Sequence, residues 1–343
     1  MPYPDQPTGH QPTLDPDAAA RVAAFGPPTP IRERGLQAVR DSLESAPPPA
    51  DMPAMADISD ADVTGAGGPI PVRIYRPIFA DGPQPVIVHL HGGGLVMGSN
   101  RSFEPMARAL AVASGAVVVA VDYRLAPENP PPAQFEDALA VTNWVAAEAD
   151  SLGIDHDRIV VCGDSAGGGV AAAVALAVRD DGGPRLFAQV LLYPGVDRDM
   201  GAPSLVRNHD APMLVHDDIV FLHELADIGA GAPHDVRRVP AYASDLTGLP
   251  QAIVVTAELD PIYDWGERYA ARLRDAGVQT TLTRYPGIYH GFLMRSEATF
   301  RGRLAMAETG ALLRAKFANP LPSPLPTIEH RIDQRPDGRT LPT

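Results

Sequence analysis

Val160-Val161-Cys162-Gly163-Asp164-Ser165-Ala166-Gly167-Gly168 is the stretch whose reading decides the fold. A short apolar run, Ile159 to Cys162, meets a serine between glycines, and an alanine-rich segment from Gly169 to Val178 follows. Strand, sharp turn, helix is the order a nucleophile elbow requires, with the serine hydroxyl lifted clear of a sheet. In such a turn the residues two before and two after the serine lie close together, so both must be small; both are glycine. The turn is strained, at ~1–3 kcal/mol, and needs surrounding structure to hold it. The helix behind it points the positive end of its dipole at developing negative charge. Taken alone, Gly-x-Ser-x-Gly is a short pattern in a chain with 31 glycines. A glycine-rich turn before a packing helix is the plain alternative, so partners elsewhere in the chain have to decide.

Working outward, the same kind of apolar run recurs. Val86 to Leu90, Val117 to Val121, Val190 to Leu192 and Ile253 to Val255 are short and continuous, while Val72 to Tyr75 alternates. Continuous runs of this length suit strands buried on both faces, as in a parallel sheet. Between them lie helical segments: Ser102 to Ser114, Ala133 to Ala149, Ala166 to Arg179 and Trp265 to Ala276. Strand–helix alternation on this scale predicts a doubly wound α/β sheet. The alternation breaks from about Asp197 to Tyr242, around one amphipathic segment, His216 to Ile228, which reads as a lid or cap. It resumes at Gln251 and closes with a strand from Thr280 to Tyr285 and a helix from Phe300 to Phe317. Two short helical candidates, Asp15 to Phe25 and Ile31 to about Ser45, form an N-terminal arm that can fold only against something else.

Activating a serine needs a base, and the base needs an orienting carboxylate. In open α/β sheets such groups gather at the carboxyl ends of strands. Asp260 follows the strand ending near Val255, and His290 follows the strand ending at Tyr285. Glu258 and Asp264 are rival acids. The order Ser165, Asp260, His290 is the one expected of an elbow-type hydrolase. An oxyanion hole needs backbone N–H groups aimed at developing charge, worth ~2.7–4 kcal/mol per donor. His91-Gly92-Gly93-Gly94 supplies candidates immediately after a strand, and the Ala166 amide would complete the hole. His89 and His91 share a strand face, but no clustered ligands accompany them, so no metal and no cofactor is expected.

Bulk properties bound the partners. The 343 residues carry a net charge of −14, which argues against nucleic acid or an anionic membrane surface. The single cysteine, Cys162, allows no intrachain disulfide. The first thirty residues hold no apolar leader core, and no run approaches about 18 apolar residues. A cytoplasmic protein without stable membrane insertion, and able to form a homodimer, is expected.

Taken together, His91-Gly92-Gly93-Gly94, Tyr123-Arg124-Leu125-Ala126-Pro127-Glu128, Gly163-Asp164-Ser165-Ala166-Gly167-Gly168, Asp260-Pro261 and His290-Gly291-Phe292 resemble the bacterial hormone-sensitive-lipase-like esterases of the α/β-hydrolase superfamily. The resemblance runs from about Val72 to Arg295. It implies a mostly parallel sheet flanked by helices, with Ser165 as nucleophile, His290 as base and Asp260 as its orienter. It puts the oxyanion donors at Gly93, Gly94 and Ala166, with Gly92 shaping the turn. It also implies a helical cap built from the N-terminal arm and the insertion. The expected division is residues 1–55 as arm and cap helices, 56–196 as first core part, 197–240 as cap insertion, 241–318 as second core part and 319–343 as tail. Many relatives carry an aromatic residue where this chain has Leu95. Leu95, Met97, Met213, Leu214, Phe221 and Ile288 are the candidates for lining a pocket that takes short to medium acyl esters. Amide, lactone or acetyl-xenobiotic hydrolysis would use the same residues, and a non-catalytic ligand-binding relative is the alternative from another class. The prolines around Pro127 and Pro130-Pro131-Pro132 fix a rigid turn beside the site, with at least one cis X-Pro bond expected.

Overall fold

Val86, Val88 and Leu90 pack on one face of a sheet and Ile87 on the other, and this two-sided burial repeats along the neighbouring strands. The computed structural model describes residues 12–26, 29–78 and 81–321. In chain order the elements begin with α1 (Pro16–Ala24), α2 (Ile31–Arg34), α3 (Leu36–Glu44), β1 (Asp57–Gly65), β2 (Gly68–Arg76) and β3 (Gln84–Leu90). Then come α4 (Glu104–Ser114), β4 (Val117–Val121), α5 (Ala133–Ala147), β5 (Ile154–Asp164), α6 (Ala166–Asp180) and β6 (Leu186–Leu192). The chain continues through α7 (Pro203–Arg207), α8 (His216–Asp227), β7 (Gln251–Leu259), α9 (Tyr263–Asp275), β8 (Thr280–Tyr289) and α10 (Phe300–Ala318).

Among the described residues the strands make one sheet in the order β1-β2-β4-β3-β5-β6-β7-β8. Pairings are parallel from β4 onward, while β2 runs antiparallel to both its neighbours. Helices cover both faces, which explains why the central strands read as unbroken apolar runs. One layer packs α5, α6 and α9 through Val141, Val145, Val174 and Leu273. The other packs α1, α4 and α10 through Ala18, Leu110 and Leu313. Register sets the site: Leu90 pairs with Gly163, Asp164 with Leu192 and Leu259 with Tyr289. The carboxyl ends of β3, β5, β7 and β8 therefore share one rim.

The chain departs from its sequence reading in four places. β1 carries no apolar signal because it is an edge strand with only Val63 buried; its hairpin pairing with β2 holds it. The helix expected from Ile31 to Ser45 is broken at Gly35, whose φ of 80° takes the left-handed region. The insertion contains α7 besides α8. The arm divides: α1 joins the sheet layer, with the Asp15 amide donating to Gly287 O at 2.8 Å, whereas α2 and α3 face α8. Ile31 N donates to Asp218 at 2.7 Å, and Arg32 lies over the Phe221 ring at 4.4 Å. The Ala126–Pro127 and Pro131–Pro132 bonds are both cis, as the proline-rich turn led one to expect. The tail expected over 319–343 lies outside the described residues from position 322 onward, as do the first eleven residues of the arm.

Candidate active site

β5 ends and α6 begins on either side of Ser165, which has φ 53° and ψ −122°. That is a conformation L-residues rarely adopt, and backbone hydrogen bonds from β6, the loop after it and the first turn of α6 hold it. Ser165 N donates to Leu192 O at 2.8 Å, and Ser165 O accepts from Gly195 N at 2.7 Å and Gly168 N at 3.0 Å. A Cβ on Gly163 would lie 2.1 Å from Gly167 O, so the flanking glycines are a steric requirement.

His290, at the end of β8, reaches Ser165 Oγ with Nε2 at 2.8 Å and Asp260 Oδ2 with Nδ1 at 2.8 Å. An ionised carboxylate only accepts, so Nδ1 carries the proton and Nε2 is left to take one from the hydroxyl. Asp260 is fully buried, and its Oδ1 accepts from Ile262 N at 2.8 Å. The Tyr193 ring meets the imidazole edge-on at 5.0 Å. The rival acids are engaged elsewhere: Glu258 accepts from Gly287 N at 3.0 Å and Asp264 from Ser204 N at 2.8 Å.

The loop after β3 turns through Gly93 (φ 105°) and Gly94 (φ 64°). Gly93 O accepts from Val96 N and Met97 N at 3.0 and 3.1 Å. Gly92 N donates to Asp164 Oδ1 at 2.9 Å, which takes it out of the set of available donors and makes it a turn anchor. The amides of Gly93, Gly94 and Ala166 donate to no acceptor among the described residues. Behind the loop His91 stacks on Tyr123 at 4.2 Å and donates from Nδ1 to Gly92 O at 2.8 Å, while Tyr123 OH donates to His91 O at 2.6 Å. Burial pushes His91 down to about 4 and His89 down to about 3, so both are neutral packing groups. Burial also pushes Asp164 up to about 7, against the opposing pull of the Gly92 amide.

Three participants carried no local signal. Arg40, on α3, donates to Val96 O at 2.6 Å and Ala126 O at 2.8 Å, and its guanidinium also pairs with Glu128. It ties the arm to the glycine loop from more than fifty residues away. Asp164 was visible only as the variable position of the motif, and Tyr193 only as the end of a strand.

Above Ser165 lies a cavity whose floor is Gly94, Leu95 and Ala166. On α8, Ile219, Leu222, His223 and Ala226 face it, the one inward stripe of a helix. Of the six lining candidates, Leu95 and Leu214 line it. The other four lie elsewhere. Met97 is buried behind the loop with Val39 and Ala126, and Met213 is turned to solvent at 47% exposure. Phe221 precedes Leu222 by one position, hence by about 100° around the helix, and packs under Arg32. Ile288 is in the core layer of α10. Each is apolar, and sequence alone does not separate core from pocket.

Residues 87–294 match a family model described as the alpha/beta hydrolase fold. Together with the elbow geometry, this decides the matter. The chain belongs to the α/β-hydrolase family, in its hormone-sensitive-lipase-like branch. Carboxylesterase NlhH of Mycobacterium tuberculosis is 39% identical over 88% of this chain and 98% of its own length. Esterase LipI of the same organism is 38% identical over 89% and 98%. Among solved structures, a hyperthermophilic esterase from the archaeon Pyrobaculum calidifontis superposes with a TM-score of 0.80 at 35% identity, covering 89% of this chain and 99% of that one. Among the described residues of this α/β-hydrolase, no helix is long and apolar enough to cross a membrane.

Proposed function

We propose that this chain is a serine carboxylesterase in which Ser165 is the nucleophile, His290 the general base and Asp260 the group that orients it. Ester hydrolysis is the reaction of the family relatives, and this chain is a carboxylic ester hydrolase. The observation that carries the residue assignment is the unbroken hydrogen-bonded chain from Asp260 through His290 to Ser165 Oγ, beside three unengaged amides. Ser165 Oγ attacks the ester carbonyl while Nε2 of His290 takes its proton. The tetrahedral oxyanion rests on the amides of Gly93, Gly94 and Ala166, which are already in place and need no reorganisation. Imidazolium then protonates the leaving alcohol, and the acyl-serine forms. Water, deprotonated by the same nitrogen, repeats the sequence and frees the acid. Asp260 keeps the imidazole in the required tautomer and stabilises its charged form.

Short to medium acyl chains suit a cavity roofed by α8. A chain-length series of p-nitrophenyl esters run beside Ser165→Ala tests both points. Turnover in the variant equal to wild type would exclude Ser165, and an optimum on long-chain emulsions would exclude the size assignment. A cytoplasmic setting is supported by the one fully buried cysteine. A homodimer is the state to test by light scattering.

A further inference from the structure

The pairing of β6 with β7 ends at Leu192 and Val255, but β7 runs on to Leu259 and delivers Asp260 one residue later. Where that ladder has stopped, a side chain from the segment between the two strands takes over. Asn208, which follows α7, donates from Nδ2 to Glu258 O at 3.1 Å and to Asp260 O at 3.0 Å. Carbonyls two residues apart point the same way along an extended chain, so one amide with two N–H groups can hold both. Asn208 is buried and is itself held on both sides: its N donates to Ser204 O at 2.9 Å, and its O accepts from Ala211 N at 3.0 Å. α7 in turn is fastened to the start of α9. Ser204 N donates to Asp264 Oδ2 at 2.8 Å, Asp264 N donates to Ser204 Oγ at 3.3 Å, and Arg207 donates to the Tyr263 hydroxyl.

The Asp260 carboxylate accepts from Ile262 N and faces His290 Nδ1, each at 2.8 Å. The Ile262 bond lies within the same loop and would move with it, whereas Asn208 anchors that loop to a neighbouring element. Without the two N–H groups, a pair of carbonyls would lose their donors, a cost the chain relieves by shifting toward water. A misplacement of about 1 Å at a reacting group costs on the order of 10²-fold in rate. Resting on the assignment of Asp260 made above, we propose that Asn208 is a positioning residue for this carboxylate. Its amide sets the backbone from Glu258 to Asp260 so that Oδ2 meets the imidazole. If Asn208 did no more than fasten α7 to the sheet, its loss would lower stability and leave turnover per folded molecule unchanged.

The test separates these two roles. Asn208→Ala removes both donors, and Asn208→Asp keeps the shape while setting carboxylate oxygens against the two carbonyls. Each is expected to lower kcat for a p-nitrophenyl ester about 10- to 100-fold with KM little changed, in protein whose near-ultraviolet circular dichroism is native. The low-field proton resonance of His290 Nδ1–H, which reports the bond to Asp260, should shift or vanish with them. Ser204→Ala loosens the same helix without touching either carbonyl and should keep both kcat and the resonance. In an Asp260→Asn background there is no carboxylate to aim, so adding Asn208→Ala should cost almost nothing more. Should the alanine and aspartate variants fail to fold, Asn208→Ser, which keeps one donor, carries the same comparison. Wild-type kcat with an unshifted resonance overturns the inference, as does an equal fall in Ser204→Ala or a full further loss in the Asp260→Asn background. None of these touches the assignment of Asp260. If Asp260→Asn alone keeps wild-type turnover, that assignment fails instead, and the resonance still decides whether Asn208 holds the carboxylate against the imidazole.

Discussion

Replacing Asp164 with asparagine isolates the cost of ionising a carboxylate beneath the nucleophile. Asn keeps an oxygen for Gly92 N, which donates to Asp164 Oδ1 at 2.9 Å, and removes only the titration. Burial raises the group from 3.8 to about 7. Between those values the unfolded chain is ionised and the folded protein holds the proton. Stability contributed by Asp164 is therefore complete below pH 3.8 and lost as pH rises to about 7. At 1.36 kcal/mol per pKa unit, the whole loss is about 4 kcal/mol, of which about 3 falls between pH 5 and 8. Buried His91 and His89, pushed down to about 4 and about 3, give the opposite slope, since they favour the fold as pH rises toward 6.5. Those contributions are common to both proteins and cancel in the difference. Urea unfolding followed by near-ultraviolet circular dichroism at pH 5 and 8 should show Asp164→Asn gaining about 3 kcal/mol on wild type over that interval. Stability curves that stay parallel would mean that Asp164 is ionised throughout, and the argument from burial would be wrong.

Four further outcomes follow from the site. Asp260→Asn should leave the fold intact and reduce kcat by about 10⁴, because the imidazole takes the wrong tautomer; steady-state kinetics would show it. His290→Ala removes the group that takes the Ser165 proton and should leave little turnover, and activity near wild type would contradict its role as base. Gly163→Ala puts a Cβ 2.1 Å from Gly167 O, so soluble expression or thermal stability should drop sharply. Arg40→Ala frees the carbonyls of Val96 and Ala126, and should cost about 1–3 kcal/mol of stability together with a fall in kcat larger than any change in KM.

Much of the scaffold was legible because its strands are buried on both faces, so Val86 to Leu90 and Val117 to Val121 announce themselves as unbroken apolar runs. The elbow was legible because steric contact between Gly163 and Gly167 permits no other residue. β1 was not, since an exposed edge strand is held by backbone pairing that leaves no mark on side-chain pattern. Phe221 and Leu222 differ by one position in a helix whose roof-facing stripe depends on how the insertion settles on the core.

The strands that hold Ser165 come from far apart in the chain, and its amide is pinned to the last residue of β6 rather than to anything local. The reactive turn can therefore close only after β3, β5 and β6 have all docked. Such distant pairings are slow to assemble. A refolding chain should regain compactness and helix content well before it regains turnover, so that the first acylation event marks the end of folding and not its middle.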